Sequence, residues 1–360
     1  MREERQLPMP SWKSDELDSP IPPASEPAYY DGALGAWVLT THADVLAALR
    51  SPSMVMDGSK AATDEDMRTL ERMREETIAA LSGPQLRRWS DTMKPFVEER
   101  ITLLPEREVV DLVGAYLQPM CLQLAAIVTE VDEKDAARLR ELAIPVSASA
   151  AEPSDDGLRE QARAVTAELQ ACFHAKAKTL RDSGFVALSH TLPSLLANGC
   201  YALLHYPKQW TLLHRKPELM EQGVEELMRY GGLSRYLRRQ ATEDMVLAGV
   251  SLRKGDRLIL RIVAANHDPA RFVCPNDLEV LRRGRGQLTL GAGPHACVGA
   301  GLLRMAAAVV LRPLLMRFAS AEHGGSVEWM GGSGFRAPSR LPVVLHLQKQ
   351  SSETSNEKTS

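Results

Sequence analysis

The chain has 360 residues, of which 44% are hydrophobic and 25% charged, and a formal net charge of −3. That composition is enough for a sizeable globular core, and the near balance of charge lacks the basic face that a nucleic-acid partner requires. Neither a run of about 18 apolar residues nor an apolar stretch behind the charged start "MREERQLPMP" is present, so the expectation is a cytoplasmic protein without a membrane or nucleic-acid partner.

Residues 1–28 are rich in proline and charge and are expected to be an extended segment outside the core. A short strand is predicted at "AWVLTT" (36–41), followed by a helix in "HADVLAALRSP" (42–52). Helical periodicity then runs through "VVDLVGAYLQPMCLQLAAIVTEV" (109–131), "GLREQARAVTAELQACFHAKAKTL" (157–180) and "LPSLLANGCYALLHYP" (192–207). Within "MVLAGVSLRKGDRLILRIV" (245–263) the pattern switches to β with a turn at "KGD", and "LPVVLHLQ" (341–348) closes the chain with another strand. The tail 349–360 lacks apolar residues and is expected to be disordered. No linker interrupts the middle, so residues 29–348 are read as a single α-rich domain with small peripheral β-sheets.

The five cysteines (Cys121, Cys172, Cys200, Cys274 and Cys297) are scattered without a C-x-x-C spacing, which argues against a disulfide framework or a structural zinc site. Four read as small buried hydrophobes. Cys297 differs, because it follows the turn "GAGPHA" and begins the apolar helical run "VGAGLLRMAAAVVLRPLLMRF". A helix N-terminus stabilises a thiolate, which suits a metal ligand or a nucleophile. Gly291, Gly293, Gly299 and Gly301 are expected to strip side chains from around the sulfur and let a flat cofactor approach. Three alternatives remain: a dinucleotide loop, against which Pro294 stands; a nucleophile paired with His295, against which the i,i+2 spacing stands; and a small residue packed at a turn, which leaves the four glycines, His295 and Arg304 unexplained.

The stretch Leu290–Arg304 resembles the heme-binding signature of the cytochrome P450 superfamily, F-G-x-G-x-H-x-C-x-G-x-x-L-A-R, with Gly291, Gly293, His295, Cys297, Gly299, Leu302 and Arg304 matching. Leu290 and Leu303 replace the usual phenylalanine and alanine. "VEELMRYGG" carries the family's E-x-x-R as Glu226 and Arg229, a helical i,i+3 pair worth about 0.2 to 0.5 kcal/mol if exposed. The arginine that often completes this pair aligns with Asp277.

The resemblance implies a mainly α cytochrome P450 fold, with 29–348 as a heme domain of the soluble bacterial kind and Cys297 as the axial ligand to the iron of heme b (iron protoporphyrin IX). It nominates His295, Arg239 and Arg74 for the heme propionates, with Leu70 standing where a histidine is usual. It aligns "ALSHT" with the distal A-G-x-[DE]-T, retaining Ala187 and Thr191 but placing Leu188 at the glycine and His190 at the acid; Pro193 is expected to kink the helix. His190 is then either a proton relay or a helix-surface histidine.

The implied chemistry is monooxygenation of a small organic molecule in bacterial secondary metabolism, with electrons from NAD(P)H through a ferredoxin and its reductase. Arg282, Arg283 and Arg285 are candidate contacts for that ferredoxin. The substrate pocket is expected to draw on 52–67, 145–191, Leu233 to Tyr236 and the "GGSGFRAP" turn near Phe335. The departures at Leu188 and His190 keep two alternatives in view: a peroxide-dependent or redox-neutral heme-thiolate enzyme, and an inactive heme-binding interaction protein.

Overall fold

The computed structural model describes residues 28–56, 64–152, 155–173, 182–283, 286–330 and 334–348. The expected N-terminal segment up to residue 27, the tail 349–360, Arg285, part of the "GGSGFRAP" turn and the side chain of Leu70 lie outside them. Among the described residues the helices are α1 (His42–Arg50), α2 (Asp64–Ala80), α3 (Gly83–Thr102), α4 (Gln118–Thr129), α5 (Glu133–Leu142), α6 (Ile144–Ala151) and α7 (Asp156–Ala171). They continue with α8 (Asp182–Val186), α9 (Leu192–His205), α10 (Pro207–Arg215), α11 (Met220–Tyr230), α12 (Ile262–Asn266) and α13 (Ala300–Arg317). None is long and apolar enough to cross a membrane.

Local signals place α1 where the sequence puts it, while one predicted helical run is an exception. Thr41 caps α1, accepting from the Asp44 N–H at 3.2 Å and donating its hydroxyl to the Asp44 carboxylate at 2.6 Å. The buried stripe Val45, Ala48 and Leu49 then follows helical spacing. The exception is the run from Val109, expected to be helical throughout, which opens as the strand Val109–Asp111. Two β-branched valines suit a sheet edge there, and the strand pairs antiparallel with Pro342–Leu347.

Helices α3, α4, α9, α11 and α13 contribute to one large apolar core. Helix α9 lies inside it, with every residue from Leu192 to Leu204 buried except Ser194. Polar tips in this core find backbone partners: the Tyr116 hydroxyl donates to Val310 O at 2.7 Å, and the Trp210 indole to Phe318 O at 2.9 Å. Beside the core stands a five-stranded sheet in the order Ala28–Asp31, Ala36–Leu39, Arg257–Leu260, Leu237–Ala241, Met54–Met56. Its one parallel pairing joins Ala36–Leu39 to Arg257–Leu260.

At Pro193 the long helix departs from regular α-geometry. The backbone runs from α8 into α9 through a π-helical segment, Ala187–Thr191, which widens the helix by one residue just before the proline. Proline removes the N–H that would bond the Ser189 carbonyl. The Arg140 guanidinium from α5 lies 3.4 Å from that oxygen and donates to it instead.

The Glu226–Arg229 pair is not an exposed helix pair. Both side chains are buried, at 4% and 2% exposure, and they meet through two parallel hydrogen bonds of 2.8 Å. The third partner is Arg282, not a residue at position 277: its Nε lies 3.0 and 3.2 Å from the two Glu226 carboxylate oxygens. This corrects the reading of Arg282 as a surface contact for a ferredoxin; Arg283 remains exposed. The spare guanidinium hydrogens reach backbone carbonyls. Arg229 bonds Asn266, Pro275 and Asp277, while Arg282 bonds Val273, Cys274 and Asp277. The segment 273–277 therefore wraps around two cations, passing through the left-handed region at Cys274 (φ 45°).

Removing the shared carboxylate leaves two guanidinium groups in a low-dielectric site without their counter-charge. Glu226→Gln is expected to destabilise the fold by about 3–5 kcal/mol, the usual cost of breaking a buried pair from one side. Equilibrium urea unfolding measures this, and a change below about 1 kcal/mol would place the pair among surface salt bridges.

Candidate functional site

The cysteine loop is assembled before α13 by contacts to three other helices. The Leu288 N–H donates to Asn266 Oδ1 at 2.7 Å, and the Thr289 hydroxyl donates to Met228 O at 2.7 Å while accepting from Asn266 Nδ2 at 2.9 Å. Gly291 and Gly293 both take φ +70°, conformations that side chains oppose, and the Cys297 N–H closes the loop on Leu290 O at 2.8 Å. Arg74, on α2, holds the far side by donating to Ala296 O at 2.8 Å. It is half-buried and docked on this loop rather than standing in solvent.

The four glycines do different jobs. A Cβ on Gly293 would lie 2.7 Å from Arg50 Cα and meet the Leu49 carbonyl, so this glycine lets the loop press against the end of α1. Gly301 packs against Leu86 of α3. Only Gly299 stands beside the sulfur, 3.8 Å from its Sγ to an added Cβ. The expectation that all four clear space around the thiol is corrected accordingly.

Cys297 is half-buried and sits two residues ahead of Gly299, the N-cap of α13. Burial pushes its thiol up from the ordinary range, and the Gly299 N–H and the charges of Arg304 and Arg74 offset this only in part. The helix N-terminus alone does not make a thiolate here. Arg304 is anchored to Glu225 on α11, and Glu225 also accepts from Gln287 at 3.3 Å. Sequence reasoning passed over Glu225, whose only signal was its place beside Glu226.

Arg239 lies on the strand Leu237–Ala241 and is 4% exposed. Its Nη1 donates to the Arg238 carbonyl at 2.8 Å, but its buried Nε has no hydrogen-bond partner. Desolvation lowers its pKa. His295 hydrogen-bonds the backbone of Met54, the strand residue two before Arg239's partner Met56, and burial together with the charges of Arg239 and Arg74 lowers its pKa. Of the three side chains nominated for an anionic group, His295 is therefore within electrostatic reach of the other two.

On the π-helical segment, Leu188 is buried and Thr191 half-buried. His190 is not an exposed helix histidine: its Nε2 lies 3.0 Å from Arg140 O on α5. Burial lowers its pKa, an effect that the hydrogen bond to the Arg140 backbone offsets in part.

The family model described as Cytochrome P450 matches residues 214–330, which span the ion triad and the cysteine loop. CYP107DY1 of Priestia megaterium is 37% identical over 157 residues, covering 43% of this chain but only 38% of that protein's length. Nocardicin C N-oxygenase of Nocardia uniformis subsp. tsuyamanensis is 27% identical over 354 residues, 86% of this chain and 89% of its own. The crystal structure of P450BioI in complex with a fatty-acyl carrier protein superposes with a TM-score of 0.80 at 21% identity, covering 89% of this chain and 95% of that one. The chain resembles the cytochrome P450 superfamily, most specifically over residues 214–330. Its architecture is the P450 fold.

That resemblance implies a heme iron cofactor, and the residues present fit one. A thiol faces a position kept small by Gly299, and a buried guanidinium nitrogen lacks a partner that a carboxylate would supply. The P450 loop geometry itself rests on Gly293. Gly293→Ala is expected to lower the melting temperature clearly, since it combines a positive φ with a backbone clash. Gly299→Ala, with ordinary backbone angles and only a van der Waals contact, should leave the melting temperature nearly unchanged. Equal effects of the two, read by circular dichroism melts, would contradict this division of labour.

Proposed function

We propose that this chain is a heme-thiolate monooxygenase that oxidises a small organic molecule in bacterial secondary metabolism, with heme b as its prosthetic group. One observation carries the reading: a half-buried thiol ahead of α13, beside the side-chain-free Gly299, on a loop whose histidine lies within electrostatic reach of an orphaned buried arginine. A relative matched along most of its length is named an N-oxygenase, which supports oxygenation over the redox-neutral and inactive alternatives. When bound, the heme would activate dioxygen with two electrons from NAD(P)H, passed on by a ferredoxin and its reductase, so that one oxygen atom enters the substrate and the other leaves as water.

The protein's own residues have separable tasks in this scheme. Cys297 holds the iron through Sγ, and the Gly299 N–H together with the Arg74 and Arg304 charges favours the anionic sulfur. Arg239 takes a propionate with its orphaned Nε, and His295 and Arg74 complete the cationic side of the same pocket. Thr191 offers a hydroxyl to pass protons on the distal side. His190 donates from Nε2 to α5, and the next residue along is turned by roughly 100° about the helix axis. It therefore braces the segment that presents Thr191.

Cys297→Ala is expected to abolish the thiolate-heme signature of the reduced carbon monoxide complex, while Arg239→Ala keeps the signature but lowers heme occupancy on purification. Survival of the signature in Cys297→Ala would assign the iron to another ligand. Full occupancy with unchanged thermal stability in Arg239→Ala would remove that residue from the propionate pocket.

The distal roles are separated by two routes of turnover, using a substrate found by ligand-induced spectral shifts. Thr191→Ala should slow NADPH-driven turnover by about tenfold or more, within the range for a lost proton-transfer group, and affect peroxide-driven turnover less. His190→Gln, which keeps a donor toward α5, should stay near the parent by both routes. A fall as large as that of Thr191→Ala confined to the NADPH route would make His190 itself the relay.

A further inference from the structure

A cavity of about 370 Å³ opens between α3, α4 and α5, and none of its lining residues belongs to the cysteine loop, the π-helical segment or the propionate set. Helix α3 buries Trp89, Met93, Val97 and Ile101 in the core. Beside that stripe Phe96, Glu99, Arg100 and, at the C-cap, Leu103 recur at i, i+3, i+4 and i+7 along the cavity wall. Helix α4 adds Pro119 and the buried Met120. On α5 the lining residues are Glu133, Ala136 and Ala137, again at i, i+3 and i+4. Two alanines end at Cβ where longer side chains would fill the gap toward α3, so the space stays open. Its volume falls within the range of small-molecule sites, about 300–1,000 Å³.

The chemistry of the lining selects an occupant. Phe96 and Met120 supply an aromatic ring and a polarizable thioether, and Leu103, 65% exposed, extends the apolar surface toward solvent. Glu99 and Glu133 reach the cavity from two different helices, and among the described residues neither carboxylate has a hydrogen-bond or ion-pair partner. Arg100 is the cation of this lining, and its Nε is taken up by the Ala115 carbonyl at 2.9 Å. Two carboxylates against one guanidinium leave the lining net negative. An aromatic face beside unpaired carboxylates attracts an organic cation in preference to an anion or a neutral molecule.

We propose that the cavity between α3, α4 and α5 is a second ligand site, which binds an organic cation with its charge at Glu99 and Glu133 and its flat apolar body on Phe96 and Met120. Amidinium compounds test this cleanly. They are planar and charged at neutral pH, donate forked hydrogen bonds to a carboxylate, and have no nitrogen lone pair to offer iron. The heme-loaded protein is titrated calorimetrically with 2-naphthamidine and 4-phenylbenzamidine, each against its neutral primary amide, at physiological ionic strength, where long-range attraction to the protein's net charge is screened. At least one amidine should bind one-to-one and about tenfold or more tightly than its amide, the discrimination expected of hydrogen bonds to a charged group. Glu99→Gln and Glu133→Gln should each reduce that preference severalfold. Ala137→Leu, which fills the cavity from an exposed helix position, should abolish amidine binding while keeping the parent's melting temperature and absorption spectrum.

Equal or absent binding of amidine and amide in both pairs overturns the site, as does a preference that both glutamine variants retain in full. Amidine binding that survives Ala137→Leu unchanged overturns it too, by placing the cation elsewhere on the protein, the substrate pocket included.

Discussion

The carboxylate of Glu226 is the interaction on which the rest of the molecule depends. Two arginines converge on it from different parts of the chain, and their remaining hydrogens gather the carbonyls of Asn266, Val273, Cys274, Pro275 and Asp277. A buried ion triad is a poor source of net stability, because desolvation cancels much of the attraction. Its value here lies in geometry. It fixes an irregular segment that has no ladder of its own and delivers the chain, at Arg282, to the start of the cysteine loop. Helix α11 then holds that loop at two further points, through the Met228 carbonyl and Glu225.

The distal side solves a different problem with similar economy. A proline in a long buried helix deprives one carbonyl of its donor and crowds the turn before it. The π-helical segment Ala187–Thr191 absorbs the crowding, and Arg140 and His190 exchange contacts across the gap to α5, the guanidinium meeting Ser189 O and the imidazole meeting Arg140 O. The distortion leaves Thr191 at the junction of the π and α segments. Such junctions are frequent at functional positions because they free backbone and side chain from strict helical register.

Charge is partitioned by strand direction. Along the extended chain from Arg235 to Arg239, one end meets Arg261 and Arg336 and the other meets His295 and Arg74.

Much was legible in the sequence because it was local. The caps and stripe of α1, the helical run into α9, the strand at Pro342–Leu347 and the glycine-rich turn before Cys297 depend on neighbours within a few residues. The spacing of Gly291, His295, Cys297 and Arg304 carried the family, and E-x-x-R located two members of the ion triad. What the sequence alone left undecided was non-local. Arg282 became the third partner because a wrapped segment buries it against α11, 56 residues away in the chain, where an alignment had pointed to Asp277. Gly293 and Gly301 proved to serve α1 and α3 rather than the sulfur, and the Cys297 thiol is pushed up by burial instead of down by its helix. Burial, the field of distant charges and the identity of a packing neighbour exist only once the chain has closed on itself, so only the tertiary structure decided them.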